Sequence, residues 1–362
     1  MADAKLPDLA GILTAADLRR TVDTIARLQL DSGMIPWFPG GHADPWNHVE
    51  SAMALALGGR VEEAEAAYRW LARIQHDDGS WCSYYLADSV EDARRDTNVA
   101  AYIATGLWFH TLVTGDGVLL SRLWPTVERA LDFAVGLQWE GGELCWSLEP
   151  GDLVPESYAL LTGSSSAYFS LRCGVAAAEY LGCNRPDWEL AAGRLAHAIN
   201  HRPEAFADKH RWAMDWYYPV LSGALGGAAG RARLQERMAE FTMEGLGIRC
   251  VSDHPWVTAA ETAECAMALD AVGLVDEAWA LFEWAQHLRG EDGSYWTGCV
   301  YPQAVPFPAG ERSTYSAAAV VLAANALAGQ GPAAGLFRGE GLPDHLDLDE
   351  VAHLVDEGDR QP

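Results

Sequence analysis

The sequence alternates between two kinds of helical segment along most of its length. One kind is amphipathic, such as RVEEAEAAYRWLARIQ, and carries a polar stripe that should face water. The other kind is rich in small residues, such as STYSAAAVVLAANALAG, and its backbones can approach each other closely. An inner ring of close-packed helices wrapped by an outer ring requires this alternation. The sequence therefore predicts an all-α fold, an (α/α)6 toroid of about twelve helices.

The predicted outer helices lie near residues 15–30, 60–75, 118–138, 186–201, 229–243 and 275–289, and inner helices start near residues 45, 97, 163, 215, 257 and 312. The repeats reach residue 330, so we expect a single toroid domain over residues 1–330 and an acidic C-terminal tail over residues 331–362. The loops from an outer helix to the next inner helix are the longer ones. The N-termini of the six inner helices should therefore open on one face, which is the predicted site.

A related phrase follows four of the outer helices. Its members are Gln29…Gly33…Trp37, Gln75…Gly79…Trp81, Gln138…Gly142…Trp146 and Gln286…Gly293…Trp296. Glycine suits the left-handed turn that closes a helix, and the aromatic side chain can fill the gap between neighbouring hairpins. The phrase is interpreted as structural.

Charge and composition exclude several partners. The formal net charge is −26, which disfavours nucleic acids and anionic membrane surfaces, and no apolar run approaches the roughly 20 residues that span a bilayer. The N-terminus has no basic segment followed by an apolar one, and seven cysteines without CxxC pairing suggest free thiols in a reducing compartment. We expect a cytoplasmic protein with no cofactor and no metal site.

The inner-helix starts and the loops before them combine acids with aromatic side chains. Helix capping explains Asp, Ser and Thr there, but not the neighbouring aromatic residues. Aromatic faces with interspersed carboxylates suit a sugar ring or an isoprenoid, and an acid can protonate the leaving oxygen or the alkene. The catalytic candidates are Glu311, Glu156, Asp96 and Asp215, and the substrate-binding candidates are Asp44, Trp46, His48, Asn98, Trp216, Tyr217, His254, Trp256, Glu261, Arg249, Tyr315 and Trp296.

The stretch LWFHTLVTGDGVLLSRLWPTVERALDF resembles a helix, turn and helix of glucoamylase-type (α/α)6 glycoside hydrolases. This resemblance implies an acid in the loop before the third inner helix, where Glu156 lies, and a base in the opposite loop, where Glu311 lies. That family places its base soon after the glycine of the last long loop, and no carboxylate follows Gly293 there. Two other acidic pairs face each other across a six-hairpin ring, namely Asp96 with Glu261 and Asp44 with Asp215.

The phrase QHDDGSW resembles the QW motif of squalene-cyclase and protein-prenyltransferase toroids. Class II cyclases of that group protonate an alkene with the central acid of Asp-x-Asp-Asp, but Arg95 stands in that place here and Asp96 alone matches the motif. Prenylation needs a zinc site of Asp, Cys and His, and Asp253, His254 and Cys265 lack a matched spacing. The predicted mouth also contains arginines that could hold an anionic substrate or pair with the carboxylates, namely Arg94, Arg95, Arg211, Arg249 and Arg312.

We therefore expect an enzyme that acts on a carbohydrate or glycoconjugate by carboxylate acid/base chemistry at the mouth of the inner ring. Two alternatives remain: a terpenoid cyclase or prenyltransferase with a nonstandard acid, and a noncatalytic toroid that binds a small molecule. The expected partner is a small-molecule substrate, either a sugar or an isoprenoid. No oligomeric state is predicted.

Overall fold

The chain forms two concentric rings of helices. The computed structural model describes residues 6–151, 153–344, 346 and 348. The outer helices are α1 (Ala15–Leu28), α3 (Val61–Ile74), α6 (Val118–Gly136), α8 (Pro186–His201), α10 (Gly227–Phe241) and α12 (Val275–Trp284). The inner helices are α2 (Pro45–Leu57), α4 (Thr97–Ala101) continued by α5 (Ile103–Thr114), α7 (Leu161–Tyr180), α9 (Ala213–Leu221), α11 (Ala259–Ala271) and α13 (Thr314–Ala328).

The inner helices close on themselves. Each packs against the next in chain order, and α13 packs against α2, which completes the ring. Nearly every residue of α13 is buried, whereas the outer helix α3 buries one stripe around Tyr68 and Leu71. The small residues of the inner helices permit this close packing, and the predicted (α/α)6 toroid is confirmed.

The loops differ in length as the sequence predicts. Short turns lead from each inner helix to the next outer helix, and long loops lead back, so all six inner-helix N-termini lie on one face. The long loops contain short antiparallel strands that the sequence does not predict. These pair as β1 (Tyr84–Leu86) with β2 (Ser89–Asp92), β3 (Arg95–Asp96) with β4 (Ser147–Leu148), β5 (Thr242–Met243) with β6 (Gly247–Ile248), and β7 (Trp256–Thr258) with β8 (Gly298–Val300) and β9 (Val305–Pro306).

Three of the four recurring glutamines join neighbouring outer helices, whereas Gln286 donates to the carbonyl of Phe282 in the preceding turn. The Nε2 of Gln29 donates to the carbonyl of Gly33 at 3.0 Å and to that of Glu63, on the next outer helix, at 2.9 Å. Gln75 and Gln138 each make the same two bonds, one within their own turn and one to the following outer helix, at 2.8–3.0 Å. The phrase therefore has the structural role that the sequence predicts.

The glycines of the phrase allow the same joints to close. Gly79 has φ +91°, and a Cβ there would lie 2.0 Å from the carbonyl oxygen of Arg129 on the next outer helix. The residue two positions after each glycine is the one that fills the gap between hairpins. These residues are all buried, namely Ile35, Trp81, Leu144 and Tyr295.

The chain after α13 packs on the opposite face. A 3-10 turn, Leu336–Arg338, places Phe337 against Phe169 with ring centroids 5.3 Å apart, and Arg338 pairs with Asp270 at 2.7 Å. Two other 3-10 turns occupy Pro203–Ala205 and Ala285–Leu288. Much of the predicted acidic tail, from residue 349 onward, lies outside the described residues, so the boundary at residue 331 stays a prediction. Within the described part of the chain, no helix is long and apolar enough to cross a bilayer.

Candidate active site

A cavity of about 360 Å³ opens at the inner-helix N-termini. Residues at or beside the starts of all six inner helices contribute to its wall. Six of the residues predicted from the sequence line it, namely Asp44, Trp46, Asp96, Asn98, Glu261 and Tyr315. This cavity is the candidate active site.

Asp44 is the N-cap of α2 at one side of the cavity. Its Oδ1 accepts from the backbone N–H of Asn47 at 3.0 Å, and its Oδ2 accepts from the indole Nε1 of Trp37 at 2.7 Å and from Asn47 Nδ2 at 2.8 Å. Burial raises the pKa of this carboxyl although each of these N–H donors favours the ionised form. Asp44 is therefore a fixed hydrogen-bond acceptor whose orientation is set by its own helix and by one tryptophan.

Asp96 repeats this arrangement one hairpin further on. It is the N-cap of α4, and its Oδ1 accepts from the backbone N–H of Asn98 at 2.8 Å, while the indole Nε1 of Trp146 donates to Oδ2 at 2.6 Å. Loss of solvent around the carboxyl raises the pKa of Asp96 to about 6, and the charge of Asp44 contributes in the same direction. A carboxyl with this pKa can both give and take a proton near neutral pH.

Glu261 lies across the cavity from Asp96. It belongs to the first turn of α11, the fifth inner helix, which is three positions from the second in a ring of six. Its side chain lines the cavity beside the thiol of Cys250, and among the described residues it forms no hydrogen bond or ion pair with an arginine, a lysine or an amide. This carboxylate therefore lacks the helix-capping bonds that fix the two aspartates.

Two further glutamates lie at the floor of the site. Glu264, one turn after Glu261, lines the cavity and accepts from the hydroxyl of Tyr217, while Glu50 of α2 accepts from Trp46 Nε1 at 3.0 Å and from the hydroxyl of Tyr102 at 3.2 Å. Burial raises the pKa of Glu50 to about 8 and holds the pKa of Glu264 well above its usual range. At neutral pH these glutamates therefore carry protons.

Aromatic rings form much of the wall. Trp37 contacts Tyr315 edge to face with centroids 4.8 Å apart, and it contacts Tyr84 at 5.8 Å. On the other side, Trp146 stacks on Tyr158 at 5.4 Å, and the Arg94 guanidinium lies 5.0 Å from the Trp146 ring centroid. Ring faces beside carboxylates and amides can bind both the C–H face and the hydroxyls of a sugar.

Several predicted residues point away from the cavity into the protein. Trp216 stacks on Phe241 of the outer helix α10, and Tyr217 reaches the site only through its bond to Glu264. The Nδ1 of His48 accepts from the backbone N–H of residue 35, its Nε2 donates to the carbonyl of Ala67, and burial lowers its pKa to about 4. Trp216 and His48 are core residues because they face the outer ring, and Tyr217 is a core residue because it packs between two inner helices.

The acid pair implied by the glucoamylase resemblance is not brought together in this cavity. Glu311 turns outward, where its Oε1 accepts from the hydroxyl of Thr297 at 2.8 Å, and it lines a separate cleft. Glu156 lies on the loop before α7 and hydrogen-bonds Glu149, which raises the pKa of Glu149. Asp215 is also outside the cavity and accepts from Thr162 Oγ1 at 2.9 Å. Of the opposed pairs in the sequence, Asp96 and Glu261 are the two that share the cavity.

The remaining predicted residues lie around the rim. His254 contacts Asp253 at 3.1 Å, Trp256 donates to the carbonyl of Phe307 at 3.1 Å, and Arg249 donates to the carbonyl of Glu240 at 3.1 Å. The Trp296 ring lies 4.1 Å from the Arg312 guanidinium. Arg94 lines the cavity, whereas Arg95, Arg211 and Arg312 pair with Asp78, Asp253 and Asp292.

Sequence reasoning misses two tryptophans of the site. Trp37 and Trp146 belong to the recurring phrase and were assigned to the gap between hairpins, but each lies four residues after its glycine, whereas the buried Trp81 lies two residues after Gly79. That spacing separates residues that face the cavity from those that fill the joints. The other lining residues that the sequence does not single out as site residues include Tyr84, Thr162, Met214 and Glu264. No group of three or more potential metal ligands occurs within the described residues.

The toroid with a carboxylate-lined cavity is the architecture of glycoside-hydrolase-like enzymes, and similarity to a mannosidase shows that this chain is an enzyme of that class that acts on a carbohydrate. No protein-family model matches the chain. The chain is 50% identical over 342 residues, 94% of each chain, to a protein of Mycolicibacterium hassiacum named MMP endo-(1,4)-3-O-methyl-alpha-D-mannosidase, and it belongs to the family of that protein.

Solved structures share the fold at low sequence identity. One described as a wild-type glycosidase has a TM-score of 0.68 at 13% identity, covering 91% of this chain and 97% of that chain. A D-mannose isomerase has a TM-score of 0.64 at 12% identity, covering 85% of this chain and 96% of that chain. These relatives give no support to the resemblance to squalene cyclases and prenyltransferases.

Proposed function

We propose that this protein is an endo-acting glycoside hydrolase that cleaves α-(1,4) bonds within a chain of 3-O-methyl-D-mannose. The substrate follows from the name of the relative with 50% identity over 94% of both chains. The chemistry rests on one observation, which is that Asp96 and Glu261 line a single cavity from opposite inner helices. Two carboxyl groups on opposite sides of a glycosidic bond are the usual requirement for its hydrolysis.

The two carboxyl groups differ in a way that suggests their roles. Asp96, with a pKa of about 6, retains a proton on a useful fraction of molecules and serves as the general acid for the leaving oxygen. Glu261 has no cationic or amide partner among the described residues and serves as the base that activates water. Asp44, held by Trp37 and Asn47, accepts a hydrogen bond from a substrate hydroxyl.

The wall of the cavity suits a methylated sugar. A 3-O-methyl group replaces a hydroxyl donor with an apolar surface, which is stabilised by apolar rather than hydrogen-bonding contacts. Val99, Leu160 and Met214 line the cavity beside the aromatic rings and can provide these contacts. Asn47 and Asn98 remain near the capping aspartates to bind the unmethylated hydroxyls.

The test is hydrolysis of an α-(1,4)-linked 3-O-methylmannose oligosaccharide, with products identified by mass spectrometry. Glu261→Gln should lower kcat by about a thousandfold because an amide cannot take a proton from water. Arg19→Ala, an exposed change on α1 far from the cavity wall, is the control and should retain wild-type activity. Absence of hydrolysis by the wild-type protein would contradict the proposed substrate, and full activity of the Glu261 variant would contradict the proposed base.

The stereochemistry of the product tests the roles separately. Direct attack by water inverts the anomeric carbon, so NMR during the first turnovers should show the β-anomer released from the α-linked substrate. A first product with the α-configuration would instead assign Glu261 or Asp44 as a nucleophile.

A further inference from the structure

A second cleft, of about 620 Å³, lies beside the candidate active site. One of its sides is the C-terminal end of α1, where Thr24 and Arg27 lie, and the other is the loop segment 309–312 before α13. Phe38 lines it between these sides. Because outer helices run antiparallel to the inner ones, the end of α1 is on the same face as the cavity.

A single layer of side chains separates the cleft from the cavity. Trp37 and Tyr315 line the cavity with ring centroids 4.8 Å apart, while the adjacent Phe38 and the preceding Glu311 and Arg312 line the cleft. The backbone N–H of Thr314 donates to the carbonyl of Trp37 at 2.8 Å and fixes this wall. A chain molecule that leaves the cavity over Trp37 therefore enters the cleft directly.

The cleft carries the groups that bind neutral sugars. Phe38 offers a partly exposed ring, and Glu311 uses one carboxylate oxygen for the hydroxyl of Thr297. Arg312 is already paired with Asp292 at 3.1 Å, but Arg27 has no acidic partner among the described residues. An unpaired guanidinium beside an aromatic ring and a carboxylate can bind sugar hydroxyls and stack against a ring face.

The cavity is too small to hold a long glycan chain. A cavity of about 360 Å³ is near the lower limit for ligand pockets, which are about 300–1,000 Å³, so it holds only a few units of a polymer. An enzyme that cuts inside a chain must bind units on both sides of the cleaved bond. We infer that the cleft binds the units of the same glycan chain that lie beyond those in the cavity, an inference that rests on the proposed function.

The experiment compares a 3-O-methylmannose polysaccharide with an oligosaccharide short enough to fit within the cavity. The double substitution Arg27→Ala and Phe38→Ala should lower kcat/KM for the polysaccharide by about tenfold, the effect of losing about 1.4 kcal/mol of binding, and change kcat/KM for the oligosaccharide by less than about twofold. Two matched controls remove the same residue types elsewhere. These are Arg19→Ala on the same helix and Phe307→Ala on the rim, whose ring is 50% exposed, and neither should alter the ratio of the two substrates.

Equal losses on both substrates, or no loss on either, would overturn the inference while leaving hydrolysis itself intact. A larger effect of Phe307→Ala would place the distal units on the rim instead and would also overturn it. If the wild-type protein hydrolyses neither substrate, the proposed function fails, and retardation of the protein in gels that contain the polysaccharide becomes the measurement. Retardation that the double substitution abolishes would still support a glycan-binding cleft, and equal migration of the two proteins would refute it.

Discussion

Two pairs of buried acidic side chains near the cavity differ in the hydrogen-bond donors that surround them. The rim pair, Asp44 and Asp96, accepts from backbone and indole N–H groups at the starts of two inner helices. The floor pair, Glu50 and Glu264, lies inside its helices, where backbone N–H groups are already used. Both carboxyls accept from a tyrosine hydroxyl, and Glu50 also accepts from the indole N–H of Trp46. The two pairs therefore differ in the number of backbone N–H groups that reach their carboxyl oxygens.

The backbone donors distinguish the two pairs, because an indole N–H reaches Glu50 as well as both aspartates. A backbone or indole N–H can only donate, so it favours the ionised carboxylate and offsets part of the effect of burial. A phenol can donate or accept, so it is compatible with a protonated acid. The pKa of Asp96 therefore stays at about 6, within reach of catalysis, whereas the floor glutamates hold protons at neutral pH.

Replacing Asp96 of the rim pair should have the largest effect on activity. Asp96→Asn keeps the shape of the side chain but cannot deliver a proton to the leaving oxygen, so kcat/KM should fall by about 10²–10⁴-fold in steady-state assays. Asp215→Asn is the matched control, because Asp215 also lies in the first turn of an inner helix but outside the cavity. Similar losses in the two variants would show that position at the mouth, rather than access to the cavity, determines activity.

Removing a hydrogen-bond donor from Asp96 should have a smaller effect on activity than replacing Asp96 itself. Trp146→Phe keeps a ring beside Tyr158 but removes the N–H bond to Asp96, so the pKa of Asp96 should rise further above about 6. Because Asp96 acts in its protonated form, the alkaline limb of kcat/KM against pH should move up by about one pH unit. Trp46→Phe removes an N–H bond to the floor residue Glu50 and should leave that limb in place. If the limb follows Trp46 instead, Asp96 is not the group that titrates.

The smallest expected effect concerns the floor pair and appears in stability. A carboxyl whose pKa is raised by folding binds more protons in the folded state than in the unfolded state, so stability falls as pH rises from about 4.5 through the folded pKa, about 8 for Glu50. Glu264→Gln removes one of the two charges that must form there. Urea unfolding should show that the stability of the variant falls less steeply with pH than that of the wild type between pH 6 and pH 8.5, by up to about 1.4 kcal/mol per pH unit.

The exposed substitution Glu140→Gln provides the baseline for this measurement. Parallel pH dependences of the wild-type and Glu264 variant proteins would mean that Glu264 is already ionised in the folded protein at pH 6, so that folding does not raise its pKa.

The alternation of outer and inner helices could be predicted from the sequence, because the outer helices are amphipathic and the inner helices are rich in small residues. The inner helices begin within two residues of their predicted starts, as at Pro45 and Thr97. The residues of the site were harder to predict, because a position near a helix start does not determine the direction in which the side chain points. Trp216 faces the outer ring, whereas Met214, two residues earlier, lines the cavity. Likewise, Asp96 is a helix cap, as its position in the sequence predicts. Its place in the cavity wall also depends on Trp146, which reaches it from a different loop.

The glutamine and glycine joints are not spread evenly around the toroid. They fasten α1 to α3, α3 to α6 and α6 to α8, and Gly293 fits closely against Arg20 of α1 on the other side. The sequence has no such phrase on either side of α10, which buries few residues. Arginines hold this helix instead, because Arg231 donates to the carbonyl of Gly273 and Arg233 donates to backbone carbonyls of α9. The hydrogen-bonded joints of the outer ring therefore cover only part of its circumference. We therefore expect sub-global opening at α10 to cost less free energy than opening at a glutamine joint. The carboxylates that line the cavity belong to α2, α4 and α11, so this opening leaves their helices in position.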